Sequence, residues 1–184
     1  MEGQRSHILN LTSQFFNMKT LAINYLSYNH WANQKICNYL SNITDEQLHG
    51  SQKNDFNIIK KIVLHIADGE QTWLSRLNGD NIPHMHNLDL DGTFSNICRL
   101  ILKNSEEFIA FIQEKEEGFL TESTEYVNLK GKAFAQNNAE IILHCMNHST
   151  FHRGQIINML RHVGYTDQSA SDFIMYLRES QVSI

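Results

Sequence analysis

Residues 138–163 read NAEIILHCMNHSTFHRGQIINMLRHV, and their periodicity predicts a long amphipathic helix. At about 100° per residue, one stripe of side chains lies within about 60° of a single line. This stripe consists of Ile141, Cys145, His148, His152, Ile156, Met159 and Val163. Gly164 follows the stripe and predicts the end of the helix. One face of this helix is therefore expected to pack against other helices.

Three more stretches show the same helical period, and a shorter one follows near the carboxyl end. They lie at about 19–41, 56–77, 93–115 and 169–179. The chain has one proline in 184 residues, and proline interrupts helices. Together these features predict an all-α protein, an up-down-type four-helix bundle with a short extra C-terminal helix.

A change of period precedes the fourth helix. Between Glu122 and Gln136 the residues alternate around Lys130-Gly131, which predicts a small hairpin or extended segment. Residues 1–17 have no clean period and are expected to form an irregular N-terminal arm. Residues 18–184 are then a single domain, as expected for this length.

The composition excludes several classes of protein. Hydrophobic residues make up 41% of the chain, as in a globular protein, and the formal net charge of −5 argues against nucleic-acid binding. No apolar run is long enough to span a membrane. The three cysteines, Cys37, Cys98 and Cys145, are far apart in sequence and indicate a reduced, cytoplasmic setting.

The main chemical signal is a set of histidines in the fourth helix. His144, His148 and His152 recur every four residues, so neighbours in this series share a helix face and can reach one metal ion. His148 and His152 fall within about 20° of the centre of the stripe and are expected to point into the interior. His144 and His162 fall about 60° to one side.

A mononuclear metal site needs a third ligand, and His65 in the second helix is the best candidate. Gly69, one turn later, leaves room beside its imidazole. Three histidines with an open position are typical of a catalytic zinc or nickel site. The alternative is that the histidines are core residues, with hydrogen bonds to hydroxyl groups. The candidate hydroxyl groups are those of Tyr25, Tyr28 and Thr72.

From residue 18 onward the chain resembles the DinB/YfiT-like metalloenzyme family. The resemblance rests on five motifs, and the segment from His144 to Gln155 is the most specific of them. These motifs are Tyr28-Asn29-His30-Trp31-Ala32-Asn33, Leu64-His65-Ile66, Trp73-Leu74-Ser75-Arg76, the segment from His144 to Gln155, and the segment from Asp172 to Arg178.

The resemblance implies a four-helix bundle, often dimeric, with a divalent metal held by His65, His148 and His152. Relatives of this kind include transferases that depend on a low-molecular-weight thiol, such as bacillithiol or mycothiol. A homodimer is expected on this basis, with Phe15 and Phe16 of the arm as contacts.

The hypothesis is therefore a metal-dependent enzyme that conjugates a low-molecular-weight thiol to a small electrophile. A metal-dependent hydrolase is one alternative, and a non-enzymatic, stress-related bundle with a structural metal is another. His144, one turn from His148, is the candidate for supporting a ligand without touching the ion. Helical phase places Arg153 on the outer face, where it would serve packing or dimerisation.

Overall fold

A computed structural model describes most of the chain. The described residues are 17–44, 53–80 and 93–181. The predicted arm lies almost wholly outside them, and so do Phe15 and Phe16. The homodimer that was expected to use these side chains stays a prediction.

The described chain is mostly helical, with a two-stranded antiparallel sheet before the fourth long helix. Its helices are α1 (Met18–Ser41), α2 (Lys53–Leu77), α3 (Phe94–Glu114), α4 (Asn138–His162) and α5 (Phe173–Gln181). A short 3₁₀ helix, Glu117–Thr121, precedes strands β1 (Ser123–Val127) and β2 (Ala133–Asn137). None of the described helices has the length and apolarity needed to span a membrane.

Side chains and glycines set the helix ends. The side chains of Asn17, Thr93 and Asn137 accept hydrogen bonds from backbone N–H groups in the first turns of α1, α3 and α4. Gly79 and Gly164 follow α2 and α4 with positive φ angles of 90° and 88°. Both glycines lie where the sequence predicts helix ends, because this backbone conformation costs glycine nothing.

Helix α5 begins at Phe173, although the sequence predicted its start near Ser169. Two tyrosines of α1 account for the difference. The Tyr39 hydroxyl donates to the backbone carbonyl of Ser169, and the Tyr28 hydroxyl donates to that of Ser171. Because both carbonyls accept hydrogen bonds from α1, the segment before α5 does not continue the helix.

The helices do not alternate in direction as the up-down prediction required. The ammonium group of Lys60 lies over the ring of Phe94, and the Asn104 side-chain amide donates to the carbonyl of Ala67. Later residues of α2 thus meet later residues of α3, so these two helices are parallel. Residues 78–93 connect them, and a long connection is what permits consecutive helices to run in one direction.

Among the long helices of the described chain, α4 has two neighbours. It packs against α2 on one side and against α1 on the other, while α3 covers the opposite sides of α1 and α2. Apolar side chains fill the interior in two clusters, one at each end. Phe56 and Ile97 belong to one cluster, and Phe108 and Met146 belong to the other.

The predicted hairpin is present between α3 and α4. Strands β1 and β2 pair in antiparallel register, with Tyr126 opposite Phe134. The Asn128 carboxamide oxygen accepts from the backbone N–H groups of Lys130 and Lys132. Gly131 supplies the positive φ of 76° that the turn needs. The turn is therefore fixed by its own side chains.

A buried chain of hydrogen bonds joins α4 to α1 and α2. The Arg153 guanidinium, in a residue only 3% exposed, donates to the side-chain oxygens of Asn29 and Asn33. The amide nitrogens of the same two asparagines donate to Glu70 Oε1, at 2.7 Å and 3.2 Å. Ser149 Oγ donates to that oxygen as well. Two asparagines thus carry hydrogen bonds between a buried cation and a buried carboxylate.

The prediction that Arg153 lies on the outer face is wrong. It assumed one packed face centred on Ile141, whereas α4 contacts both α1 and α2. Arg153 falls about 120° from Ile141, which is the side that faces α1. It lies within 5.6 Å of the Tyr28 ring centroid and also donates to the Thr150 hydroxyl.

We expect Arg153→Met to lower the free energy of unfolding by about 3–5 kcal/mol, because the Glu70 carboxylate would stay buried without a cation. The double variant Arg153→Met with Glu70→Gln should lose less than the sum of its single variants, with about 0.5–3 kcal/mol of coupling. Urea denaturation measures these differences. The exposed Arg161→Met is the control, expected within about 0.5 kcal/mol of the parent. Additive losses would show that the two charges do not interact.

Candidate metal centre

The structure brings together the three histidines predicted as ligands. His65 comes from the middle of α2, and His148 and His152 come from successive turns of α4. One ring nitrogen from each lies within 4.8 Å of the others. The ring centroids are 4.4–4.8 Å apart. The three imidazoles therefore converge on one point.

Their mutual orientation suits a shared ion. The rings meet edge to face, at interplanar angles of 64°, 71° and 89°. His148 Nε2 and His65 Nε2 are 3.0 Å apart. Nitrogens that bind one tetrahedral zinc at about 2.0–2.1 Å lie about 3.3 Å from one another. The cluster needs only small side-chain movements to reach that spacing, so it fits a divalent metal.

Electrostatics keep two of these imidazoles neutral. Burial, followed by the neighbouring imidazoles, lowers the pKa of His148 from its usual 6.5 to about 4. Burial and His152 also lower the pKa of His65. A neutral imidazole has the nitrogen lone pair that a metal requires. Both side chains are thus in the ligand form at neutral pH.

His148 and His152 were predicted to lie at the centre of the buried face of α4, but the structure places them elsewhere. His148 and His152 are half-buried, and the buried residues of α4 centre about 80° away from them around the helix. The predicted stripe counted these histidines and Met159 as core positions, which displaced its centre. The imidazoles lie at the edge of the packed face, beside α2.

Glycine 69 makes room for the cluster, although for a different ring than expected. A Cβ atom at Gly69 would lie 3.1 Å from Cε1 and 3.3 Å from Nδ1 of His148. Ordinary van der Waals contact begins at about 3.4 Å. The imidazole of His148 thus packs directly on the α2 backbone, which only glycine permits without a shift.

One ligand candidate is oriented by a neighbour on its own helix. His152 Nδ1 donates to Gln155 Oε1 at 2.7 Å, since an amide oxygen can only accept. The lone pair of His152 is then on Nε2. Metal-bound histidines usually have such a partner for the second ring nitrogen.

His144, the side chain predicted to support a ligand, is exposed. Its ring lies edge-on to Trp73 at 5.2 Å and 6.2 Å from the His148 ring. Among the described residues, Gln155 is the supporting side chain that hydrogen-bonds to a ligand candidate. The supporting role of His144 stays a prediction.

The hydroxyls proposed as alternative partners of the histidines bind elsewhere. Tyr25 donates to Asn147, and Tyr28 donates to the Ser171 carbonyl. The Thr72 hydroxyl is buried without a hydrogen-bond partner in the described structure. No described tyrosine or threonine therefore satisfies the three imidazoles.

A cleft of about 390 Å³ opens beside His65 and His148. Trp73 and Leu129, which is 61% exposed, supply apolar walls, and the hairpin turn that carries Leu129 closes one side. Among the described residues that line the cleft, none is an aspartate or a glutamate. A small molecule in this cleft would reach the histidines without meeting a carboxylate there.

Sequence reasoning named Thr72 only as a possible hydrogen-bond partner of the histidines and did not name Arg76 as a lining residue. Thr72 and Arg76 line the cleft together with Gly69 and His65. These four residues follow one another at steps of four, three and four, and lie within about 60° of one line on the helix. Of the residues on this line, only His65 and Gly69 were predicted to lie beside the metal site. The same line continues for two more helical turns to Arg76, and this continuation could have identified the lining residues from the sequence.

The comparisons with known proteins identify the family of this chain. The sequence profile of the DinB family matches residues 16–180. The chain belongs to the DinB family. It is 29% identical over 167 residues to the protein DinB of Bacillus subtilis (strain 168), which covers 87% of this chain and 95% of that protein. No solved structure matches it significantly.

In this DinB-family chain, we expect Gly69→Ala to weaken zinc binding at least tenfold, because the added Cβ displaces the His148 ring. Stability should not fall, since alanine is favoured over glycine within a helix by about 0.5–1 kcal/mol. Isothermal titration with Zn²⁺ and thermal melting measure the two effects. The control is Gly154→Ala, whose Cβ would meet nothing within 4 Å. Equal affinities of the two variants would contradict the packing argument.

Proposed function

We propose that the chain is a metal-dependent transferase that conjugates a low-molecular-weight thiol to a small electrophile. The observation that carries this proposal is the cluster of three half-buried imidazoles at the side of a cleft. Among the described residues, no fourth histidine, cysteine or carboxylate joins the cluster. Three protein ligands and an open side are typical of catalytic rather than structural metal sites.

His65, His148 and His152 would hold the ion. Three imidazole ligands suit zinc or nickel better than magnesium or calcium, which prefer oxygen. Such an ion, when bound, acts as a Lewis acid and lowers the pKa of a thiol or water beside it. Gln155 fixes the ring of His152, and Gly69 admits the ring of His148.

The proposed reaction forms one sulfur–carbon bond. The thiol releases its proton to solvent water, because the thiolate is the nucleophile, and its sulfur attacks an electrophilic carbon. If the electrophile has a leaving group, that group departs with its bonding electron pair. If the electrophile is an activated double bond, its π electrons move to the neighbouring atom, which then takes up a proton. Trp73 and Leu129 offer an apolar surface for the electrophile.

The lining of the cleft favours transfer over hydrolysis. A hydrolase needs a base within hydrogen-bond reach of its attacking water, and an aspartate or glutamate usually serves. The described lining has no such side chain. Asp68 and Glu70 are the carboxylates nearest to His65 in the sequence, and neither lines the cleft. Glu70 accepts three hydrogen bonds in the interior.

We further infer that the four long helices form one four-helix bundle, in which α1 and α4 run opposite to α2 and α3. The pairwise packing of the helices supports this arrangement.

A homodimer is part of the same proposal, on the strength of the resemblance alone. Light scattering at micromolar concentration would give twice the monomer mass of 21.3 kDa for the dimer.

We expect His65→Ala, His148→Ala and His152→Ala each to abolish stoichiometric zinc binding, because two imidazoles hold zinc far more weakly than three. The exposed His162→Ala is the matched control and should bind like the parent. The measurement is metal content by mass spectrometry on protein purified without a metal-affinity step. Loss of metal in all four variants, or in none, would contradict the assignment of ligands.

We expect thiol-dependent turnover of a model electrophile such as 1-chloro-2,4-dinitrobenzene. Glutathione, bacillithiol and cysteine would each be tested with zinc, nickel or manganese, with chelated protein and His148→Ala as controls. Conjugate formation that needs both thiol and metal supports the transferase. A hydrolysed product formed without thiol would support the hydrolase instead, and no turnover with any thiol would favour a structural metal.

A further inference from the structure

The cleft beside the histidines contains a buried cation for which the described residues supply no counter-ion. Arg76 lines this cleft and is only 8% exposed. Its guanidinium carbon lies 4.5 Å from the Trp73 ring centroid and 4.7 Å from that of Tyr126. The guanidinium thus packs against two aromatic rings that also contact each other, with centroids 5.1 Å apart, one from α2 and one from β1.

Part of its hydrogen-bonding capacity is also unused within the described residues. Arg76 Nε is buried and makes no hydrogen bond, and no carboxylate pairs with Arg76 in residues 17–44, 53–80 and 93–181. The Thr72 hydroxyl, one turn earlier and in the same cleft, is likewise buried and unpartnered. Two adjacent side chains that line the cleft therefore have polar atoms without hydrogen-bond partners among the described residues.

Such an arrangement is unfavourable unless something completes it. Burial lowers the pKa of Arg76, because it removes water from around the charged form. Arginine stays protonated in proteins, so the charge cannot be removed by deprotonation. The aromatic rings compensate only in part, because they offer no hydrogen-bond acceptor. An anion in the cleft would supply both the charge and the acceptors.

The rest of the cleft agrees with an anionic occupant. Lys130 and Asn128 of the hairpin turn line it opposite α2, and no described lining residue is acidic. A planar carboxylate matches the planar guanidinium fork with two parallel hydrogen bonds.

We propose that this cleft binds small organic acids, with the carboxylate on Arg76 and Thr72 and the rest of the molecule extending towards His65 and His148. Gly69, against which His148 packs, precedes Arg76 by seven residues, about 10 Å along the helix axis. The ligand is therefore about that long. Its role as a reactant rests on the proposed transferase function, whereas its binding does not.

Trp73 reports on this binding directly. The chain has two tryptophans, and Trp31 donates to Glu179 on α5, away from the cleft. In a Trp31→Phe background the fluorescence comes from Trp73, which contacts Arg76. The probes are 6-mercaptohexanoate and 6-mercapto-1-hexanol, which differ in the carboxylate alone, and hexyl phosphate as a tetrahedral anion.

We expect the acid to bind at least tenfold more tightly than the alcohol in chelated protein. Arg76→Met, which keeps an unbranched side chain against the rings, should abolish this preference, and Arg76→Lys should retain part of it. Thr72→Val should reduce it severalfold. The control Arg161→Met removes an exposed arginine and should leave the preference unchanged.

Three results would overturn the proposal: equal affinities for acid and alcohol, a preference that survives Arg76→Met, or tighter binding of hexyl phosphate than of the acid. Melting curves identify any variant that fails to fold, and Arg76→Lys then carries the test. Because these titrations use metal-free protein and measure no turnover, they are independent of the transferase assay. A carboxylate preference without thiol transfer would reject the proposed function and keep this site.

Discussion

The hydrogen-bond chain from Arg153 through Asn29 and Asn33 to Glu70 is the interaction on which the rest of the structure depends. A guanidinium and a carboxylate taken out of water are each unfavourable by several kcal/mol unless they are bonded. Here the same two asparagines serve both groups, because a carboxamide accepts at one end and donates at the other. The bonds form only when α1, α2 and α4 take one relative position. An apolar contact alone would tolerate sliding of one helix along another.

This register places the candidate metal ligands. Ser149 and Arg153 are the next residues after His148 and His152, and each points inward where its neighbour points to the edge. Ser149 bonds to Glu70 of α2, five residues beyond His65. The bonds that align α4 with α2 therefore also bring the three imidazoles within reach of one another. Buried polar groups and candidate ligands alternate along the same turns of α4, so one set holds the other in place.

Much of the architecture could be predicted from the sequence because it depends on local signals. Helix ends follow from Asn137, Gly79 and Gly164, and the hairpin follows from the alternation around Gly131. The convergence of His65 with the pair on α4 could be inferred from helical phase and from the resemblance. These features need only a few neighbouring residues to form, and the sequence contains those residues together.

The remaining features depend on which elements become neighbours, and a periodicity does not contain that information. Arg153 lies in the interior because α4 has a second partner, α1, on the side where it points. The parallel course of α2 and α3 depends on the contacts of Lys60 and Asn104, which are distant in sequence from their partners. Arg76 becomes a cleft residue only when Tyr126 of the hairpin packs on it.

The hairpin turn gives the cleft two walls with different constraints. On one side, His65 and Arg76 belong to a helix that is tied into the interior, and a substitution there disturbs its packing. On the other side, Leu129 and Lys130 project from a turn whose shape is kept by Asn128 and Gly131. These two side chains can be exchanged without altering the backbone that carries them. Ligand preference can thus diversify at the turn during evolution while the imidazole cluster stays as it is.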